Sequence, residues 1–92
     1  MNENFSIETE IKDIKMKFKT SPKLFSPKNI DMGTLAMLSV VDFGENDKVL
    51  DLGCGYGVVG ILAAKTIGSE NVVMTDKVEL AVQISRENAV LN

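Results

Sequence analysis

From position 51 to 60 the chain reads Asp-Leu-Gly-Cys-Gly-Tyr-Gly-Val-Val-Gly, and a further acid follows at Asp76. These are the residues whose types and spacing can do chemistry. Gly53, Gly55 and Gly57 alternate between an apolar run and a helix-forming run, so the chain turns tightly and a ligand can approach backbone that carries no Cβ. The helix starting after Gly57 aims its N–H groups and positive dipole end at the same place. Asp76 ends the next apolar run, where a carboxylate can accept both hydroxyls of a ribose. Plainer roles compete with each reading: glycines also serve only to turn, and Asp76-Lys77-Val78-Glu79 also fits a capping box for the helix that follows. Taken together, the pieces point to a site for a nucleoside cofactor.

Asp51 selects among such cofactors. A dinucleotide would lay a doubly charged pyrophosphate over the glycines, and a fixed carboxylate just before them repels it. S-adenosylmethionine has no phosphate. Its ammonium and sulfonium suit an acid at the strand end, and its carboxylate suits the helix N-terminus. Other chemistry is excluded by composition. The chain has no histidine and one cysteine, Cys54, so Ser-His-Asp and Cys-His nucleophiles, histidine metal sites, cysteine zinc knuckles and an internal disulfide are absent. Cys54 itself reads as a small loop residue.

The elements that must hold these residues follow from periodicity. Lys48–Leu52 and Asn71–Thr75 are apolar strands; Val58–Ile67, closed by Gly68, and Val78–Leu91, with Leu80, Ile84 and Leu91 on one stripe, are helices. This β-α-β-α order predicts a parallel sheet covered by helices on both faces. Upstream, a helix is expected from Met32 or Thr34 to Phe43 with Asp31 as its N-cap, mostly buried because Leu35, Met37, Leu38, Val40 and Val41 face several ways. Residues 5–11 and 14–19 alternate in opposite phase about Lys12-Asp13, which predicts a β-hairpin. Ile7, Ile11, Ile14 and Phe18 would also make one helical stripe, but the alternating lysines favour strands. Thr20-Ser21-Pro22 and Ser26-Pro27-Lys28-Asn29 are irregular connections.

Ninety-two residues, 45% apolar and 25% charged, make one small α/β unit. No apolar stretch approaches the ~20 residues of a membrane helix, and the acidic start resembles no secretory leader, so a cytoplasmic setting is expected. Net charge is −3 over residues 1–11, +5 over 12–28 and −5 over 29–92. A basic segment beside an acidic body could meet RNA phosphates, but lysines at period two more often form the solvated, pairing-resistant face of a strand. The sequence stops in a helix with no terminator and leaves two parallel strands with bare edges. The expectation is the front half of a larger domain; the alternative is self-association through the unpaired sheet edge.

Lys48 to Gly60 resembles the first motif of class I S-adenosylmethionine-dependent methyltransferases, and Asp76 is similar to their second-strand acid. Phe18-Lys-Thr-Ser-Pro-Lys-Leu-Phe25-Ser26, Ile30-Asp31-Met-Gly33-Thr34 and Arg86-Glu-Asn88-Ala89-x-x-Asn92 resemble the methyltransferase small domain group, which includes ribosomal small-subunit RNA guanine-N2 methyltransferases. The resemblance implies a Rossmann-like fold, with residues 1–30 a hairpin and connection and 31–92 the first half of the cofactor domain. It implies backbone of Gly53, Cys54 and Gly55 around the methionine part, with Gly57 in the same turn. Asp51 would lie behind that part, Asp76 on the ribose, and Asp31, Gly33 and Thr34 along the same pocket. The implied activity is methylation of a ribosomal RNA guanine nitrogen. The group's Asn-Pro-Pro-aromatic motif does not occur in these residues, so no catalytic residue is named. The rival readings are an NAD-dependent oxidoreductase fragment and a non-catalytic binding or interaction module.

Overall fold

The computed structural model describes residues 5–24 and 30–92. Strand β1 (Phe5–Ile11) pairs antiparallel with β2 (Ile14–Thr20). Lys12 and Asp13 between them both take positive φ, 51° and 66°, which is what a two-residue hairpin turn demands. The phase change in the sequence marks this turn correctly. Its register places Glu8 opposite Lys17 and Glu10 opposite Lys15 on the exposed face, while Ile11, Met16 and Phe18 point into the core. The connection predicted at 26–29 lies outside the described residues.

Helix α1 (Met32–Val40) begins at Asp31, whose Oδ2 accepts the Thr34 N–H at 3.0 Å, as an N-cap should. It ends three residues before the predicted Phe43. Val41 is extended, and the Lys12 ammonium donates to its carbonyl and to Asp42. The hairpin turn therefore takes up the group that a longer helix would have used. Nor is α1 mostly buried. Only Leu38 is fully covered, and Met32 and Val40 are 83% and 78% exposed, because a single face of the helix meets the hairpin among the described residues.

The second sheet pairs β3 (Val49–Leu52) with β4 (Val72–Thr75) in parallel, Asp51 beside Met74 and Leu52 beside Thr75. Helix α2 (Val58–Ile67) makes the crossover, ends at Gly68, and is followed by a 3₁₀ turn, Ser69–Asn71. Helix α3 (Glu79–Leu91) completes the chain. Among the described residues, helices cover only one face of this sheet. Gly60 and Ile61 of α2 and Ala89 of α3 share a groove with Met74, so both helices lie on one side. The other side shows Leu50, Leu52 and Val73 at 58%, 74% and 58% exposure. The stripe of α3 is also rotated from the predicted one: Ala81, Ile84, Ser85 and Asn88 are buried, while Leu91 is half-exposed.

This rotation follows from what α3 packs against. It lies along β2 as well as the sheet, and one core runs from Met16 and Phe18 through Tyr56 to Ile61, Leu62 and Ile84. Rings of Phe18 and Tyr56 meet at 5.9 Å, tilted by 58°. Among the described residues no helix is long and apolar enough to cross a membrane.

Candidate functional site

A cleft of about 270 Å³ opens at the carboxyl ends of β3 and β4, where parallel sheets of this kind bind ligands. Its floor is the turn from Gly53 to Tyr56 and the first residues of α2, Val58 and Val59. Asp51 and Asp76 come from the two strand ends, Asp31 and Thr34 from the start of α1, and Lys23, Leu24 and Ile30 from the segment after the hairpin. Seven of the nine site residues expected from sequence thus meet in one cavity. Gly33 and Gly57 do not line it. Gly33 lies in the first turn of α1 behind Asp31, and Gly57 is the N-cap of α2 with φ 101°.

The carboxylates differ in environment. Asp51 Oδ2 accepts the Gly60 N–H at 3.0 Å. Burial nevertheless pushes its carboxyl above the usual carboxylate range; the Gly60 bond opposes that rise, and the charge of Asp76 adds to it. Asp76 is partly exposed, and it accepts the Val78 N–H at 2.8 Å through Oδ1 and the Gly55 N–H at 3.1 Å through Oδ2. Those two bonds hold its carboxyl below the usual range, so it is ionised at neutral pH. The capping box offered by the sequence does not form as such. Val78 is the N-cap of α3, without a side-chain cap bond, and Asp76 closes a local turn while bracing the glycine loop.

The loop uses its own donors. Cys54 N–H goes to the Thr75 carbonyl, Gly55 N–H to Asp76 and Gly57 N–H to the Cys54 carbonyl. The Cys54 N–H is therefore already engaged, while Cys54 itself lines the cleft as expected from the sequence. Its thiol is buried 3.2 Å from Ser85 Oγ. Burial raises its pKa, a Ser85 hydrogen bond opposes this, and Asp51 and Asp76 raise it further, so it is no nucleophile. Around Gly53 and Gly55 the space is open: a Cβ built on either meets nothing within 4 Å.

Sequence reasoning missed Lys23, Tyr56, Ser85 and Asn88. Lys23 lies in the basic segment 12–28, beyond the period-two lysines read as a strand's solvated face. Tyr56 lines the cleft and is buried, which raises its hydroxyl pKa, with Asp31 adding to the rise. Ser85 and Asn88 touch the loop from behind, donating to the Gly55 and Tyr56 carbonyls, both at 2.7 Å. The helical spacing of Ala81, Ile84, Ser85 and Asn88 was the available signal, since a polar residue on a buried stripe needs a partner. Among the described residues no group of acids and cysteine could hold a metal ion. The cleft balances three carboxylates against one ammonium, which fits a ligand with a positive centre.

Comparison with known proteins agrees with this geometry. Ribosomal RNA small subunit methyltransferase C of Haemophilus influenzae (strain PittEE) is 39% identical over 66 residues, which is 72% of this chain and 20% of that protein. The protein of the same name from Pseudoalteromonas atlantica is 34% identical over 85 residues, 92% of this chain and 25% of its own length. Ribosomal RNA large subunit methyltransferase G of Shewanella amazonensis is 31% identical over 77 residues, covering 84% and 20% respectively. The chain thus spans a quarter or less of the length of these relatives. Residues 15–92 match the family described as "Methyltransferase small domain", with the cleft's carboxylates and glycine loop inside that span, and the chain belongs to this family.

Proposed function

We propose that this chain holds S-adenosylmethionine in the cleft between β3 and β4 and is the donor-binding part of an enzyme that methylates ribosomal RNA, at a guanine exocyclic nitrogen. The observation that carries the reading is the placement of Asp51 and Asp76 at adjacent strand ends on either side of the open glycine loop. Each oxygen of Asp76 accepts one backbone N–H and keeps lone-pair capacity for a ribose hydroxyl. Asp51 faces the ammonium, directly or through water, and the first turn of α2 at Val58 and Val59 takes the carboxylate of the methionine part. Lys23 supplies a further positive charge for that carboxylate. Gly53 and Gly55 leave room for the ligand to lie against backbone.

When bound, the cofactor supplies a sulfonium methyl group for in-line transfer. This chain's residues orient the donor and keep its charges matched, and fixing two reactants in near-attack geometry lowers a barrier by about 7–11 kcal/mol. The RNA acceptor is supported by the names of the relatives. The hairpin lysines add no support: Lys17 lies 3.9 Å from Glu8, Lys19 3.5 Å from Glu87 and Lys12 3.1 Å from Asp42.

Calorimetric titration with S-adenosylhomocysteine and, separately, NADH tests the proposal. Saturable binding of the first, lost in Asp76→Ala, is the expected outcome. Preference for NADH would refute the methyl-donor reading and restore the oxidoreductase one.

A further inference from the structure

The outer edge of β2 at Lys17 and Lys19 is satisfied by a side chain of α3, Asn88, and by its C-cap, Asn92, instead of by a strand. Asn88 Oδ1 accepts the Lys19 N–H at 2.7 Å and its Nδ2 donates to the Lys19 carbonyl at 2.9 Å. Asn92 repeats the pattern on Lys17, at 2.9 and 2.7 Å. The geometry suits the two elements. Four residues along a helix advance about 6 Å and two along a strand about 6.7 Å, so carboxamides spaced i, i+4 meet alternate residues of a strand edge. One difference separates them. Asn88 is fully buried and its Nδ2 also donates to the Tyr56 carbonyl at 2.7 Å, so both its N–H groups and its oxygen are engaged. Asn92 has no such bond to the glycine loop; its Nδ2 donates to the Asn88 carbonyl instead.

We propose that Asn88 is a positioning residue for the cofactor loop, tying the Tyr56 carbonyl to the edge of the hairpin so that β2 sets the height of Gly53–Gly57 over the strand ends. The proposal rests on the cofactor reading above for its consequence, though not for its geometry. Ser85 supports the same loop one carbonyl earlier, at Gly55, and Phe18 of β2 packs on the Tyr56 ring. The hairpin is thereby coupled to the floor of the cleft through residues that do not line it.

The 92-residue chain is tested as wild type, Asn88→Ala and Asn92→Ala, at a temperature where all are folded. Two readouts are taken: amide hydrogen exchange at Cys54, Gly55 and Gly57, and the affinity for S-adenosylhomocysteine. A merely structural role predicts that any difference between the variants vanishes once exchange is corrected for global stability, because both asparagines bind the same strand edge. The expected result is exchange at the three loop amides at least about tenfold faster in Asn88→Ala than in Asn92→Ala, after correction for global stability. With it goes an affinity loss of about tenfold in Asn88→Ala and under about twofold in Asn92→Ala. Equal exchange in the two variants overturns the proposal. If the exchange difference holds while wild type binds no S-adenosylhomocysteine, the cofactor reading fails and the tether stands. If Asn88→Ala does not fold, exchange of the side-chain amide protons in wild type decides: protection of Asn88 well above that of Asn92 supports the tether, and equal protection overturns it.

Discussion

Gly55 and Gly57 are two residues apart in one turn, yet their surroundings assign them different tasks, and alanine substitutions separate the two. At Gly55 φ is 57°, close to the left-handed well, and a Cβ meets nothing within 4 Å. Gly55→Ala therefore carries only the left-handed penalty of about 1–2 kcal/mol. At Gly57 φ is 101°, beyond that well, and a Cβ lies 3.0 Å from Ile61 Cδ1 and 3.3 Å from Ser85 Oγ, both buried. Backbone strain of about 2 kcal/mol then adds to overpacking of about 1–2 kcal/mol. A domain of this size loses about 4–8 °C in Tm per kcal/mol. Gly57→Ala should thus fall by about 12–30 °C and Gly55→Ala by about half of that or less. Affinity for S-adenosylhomocysteine, measured well below either midpoint, should run the other way, because the new methyl of Gly55→Ala projects into the cleft. A loss of tenfold or more is expected there, against a smaller loss in Gly57→Ala. Thermal melts with calorimetry check both rankings. If Gly57→Ala were the milder change in stability and the worse in binding, the division of the loop into a ligand-facing and a packing-facing glycine would be refuted.

Asp51→Asn should raise the thermal stability of the free chain, since burial disfavours the ionised acid, and lower affinity for S-adenosylmethionine by about 10- to 100-fold, the worth of a charged hydrogen bond. Parallel melts and titrations distinguish this trade from a plain loss of structure, which would lower both. The same shift fixes a pH dependence. With a folded pKa above the ordinary 3.8, Asp51 contributes stability to the free chain at low pH that is lost as pH rises through that pKa. Affinity for the cationic cofactor moves oppositely, falling as pH is lowered through it. Asp76, shifted down, contributes stability present above 3.8 and lost only below it, so titrations across pH should show affinity weakening before Asp76 titrates. Cys54 should react with a disulfide reagent at neutral pH far more slowly than in urea, as followed by thiol release, given its burial and raised pKa.

The parts of the fold that were legible in the sequence are those set by neighbours in the chain. Gly68 ends α2 where expected, Asp31 caps α1, and the phase change at Lys12-Asp13 locates the hairpin turn, because each is decided within a few residues. The turn also determines the register, and hence that Glu8 and Glu10 oppose Lys17 and Lys15, so the weakness of the basic segment as an RNA surface was already implicit. What could not be read are features settled at long range. The apolar residues of α1 say that the helix prefers cover, not that only Leu38 receives it. Ser85 and Asn88 announce a need for partners, but the partners, the carbonyls of Gly55, Tyr56 and Lys19, lie 30 to 69 positions away. Asp51 was singled out by its charge and lines the cleft, while the bond it makes to Gly60 depends on how closely α2 lies over β3.

That bond strengthens the choice of cofactor beyond the charge argument alone. A loop that binds pyrophosphate does so with free N–H groups pointing at the anion. Here the N–H groups of Cys54, Gly55 and Gly57 are held within the loop and its flanking strand end, and the Gly60 N–H, the donor that the third position of α2 would offer an anion, is held by Asp51. A pyrophosphate at this helix end would find the Gly60 N–H taken and would sit beside the Asp51 carboxylate. At an effective dielectric of about 20, one like-charge pair about 5 Å apart costs about 3 kcal/mol, more than a hundredfold in affinity, and a pyrophosphate brings two charges to a cleft that already holds Asp31, Asp51 and Asp76. A ligand with an ammonium and a sulfonium sets two positive centres against these acids and brings a single carboxylate to the helix end. The carboxylates that count against a dinucleotide are thus the ones on which the proposed methyl-donor reading rests.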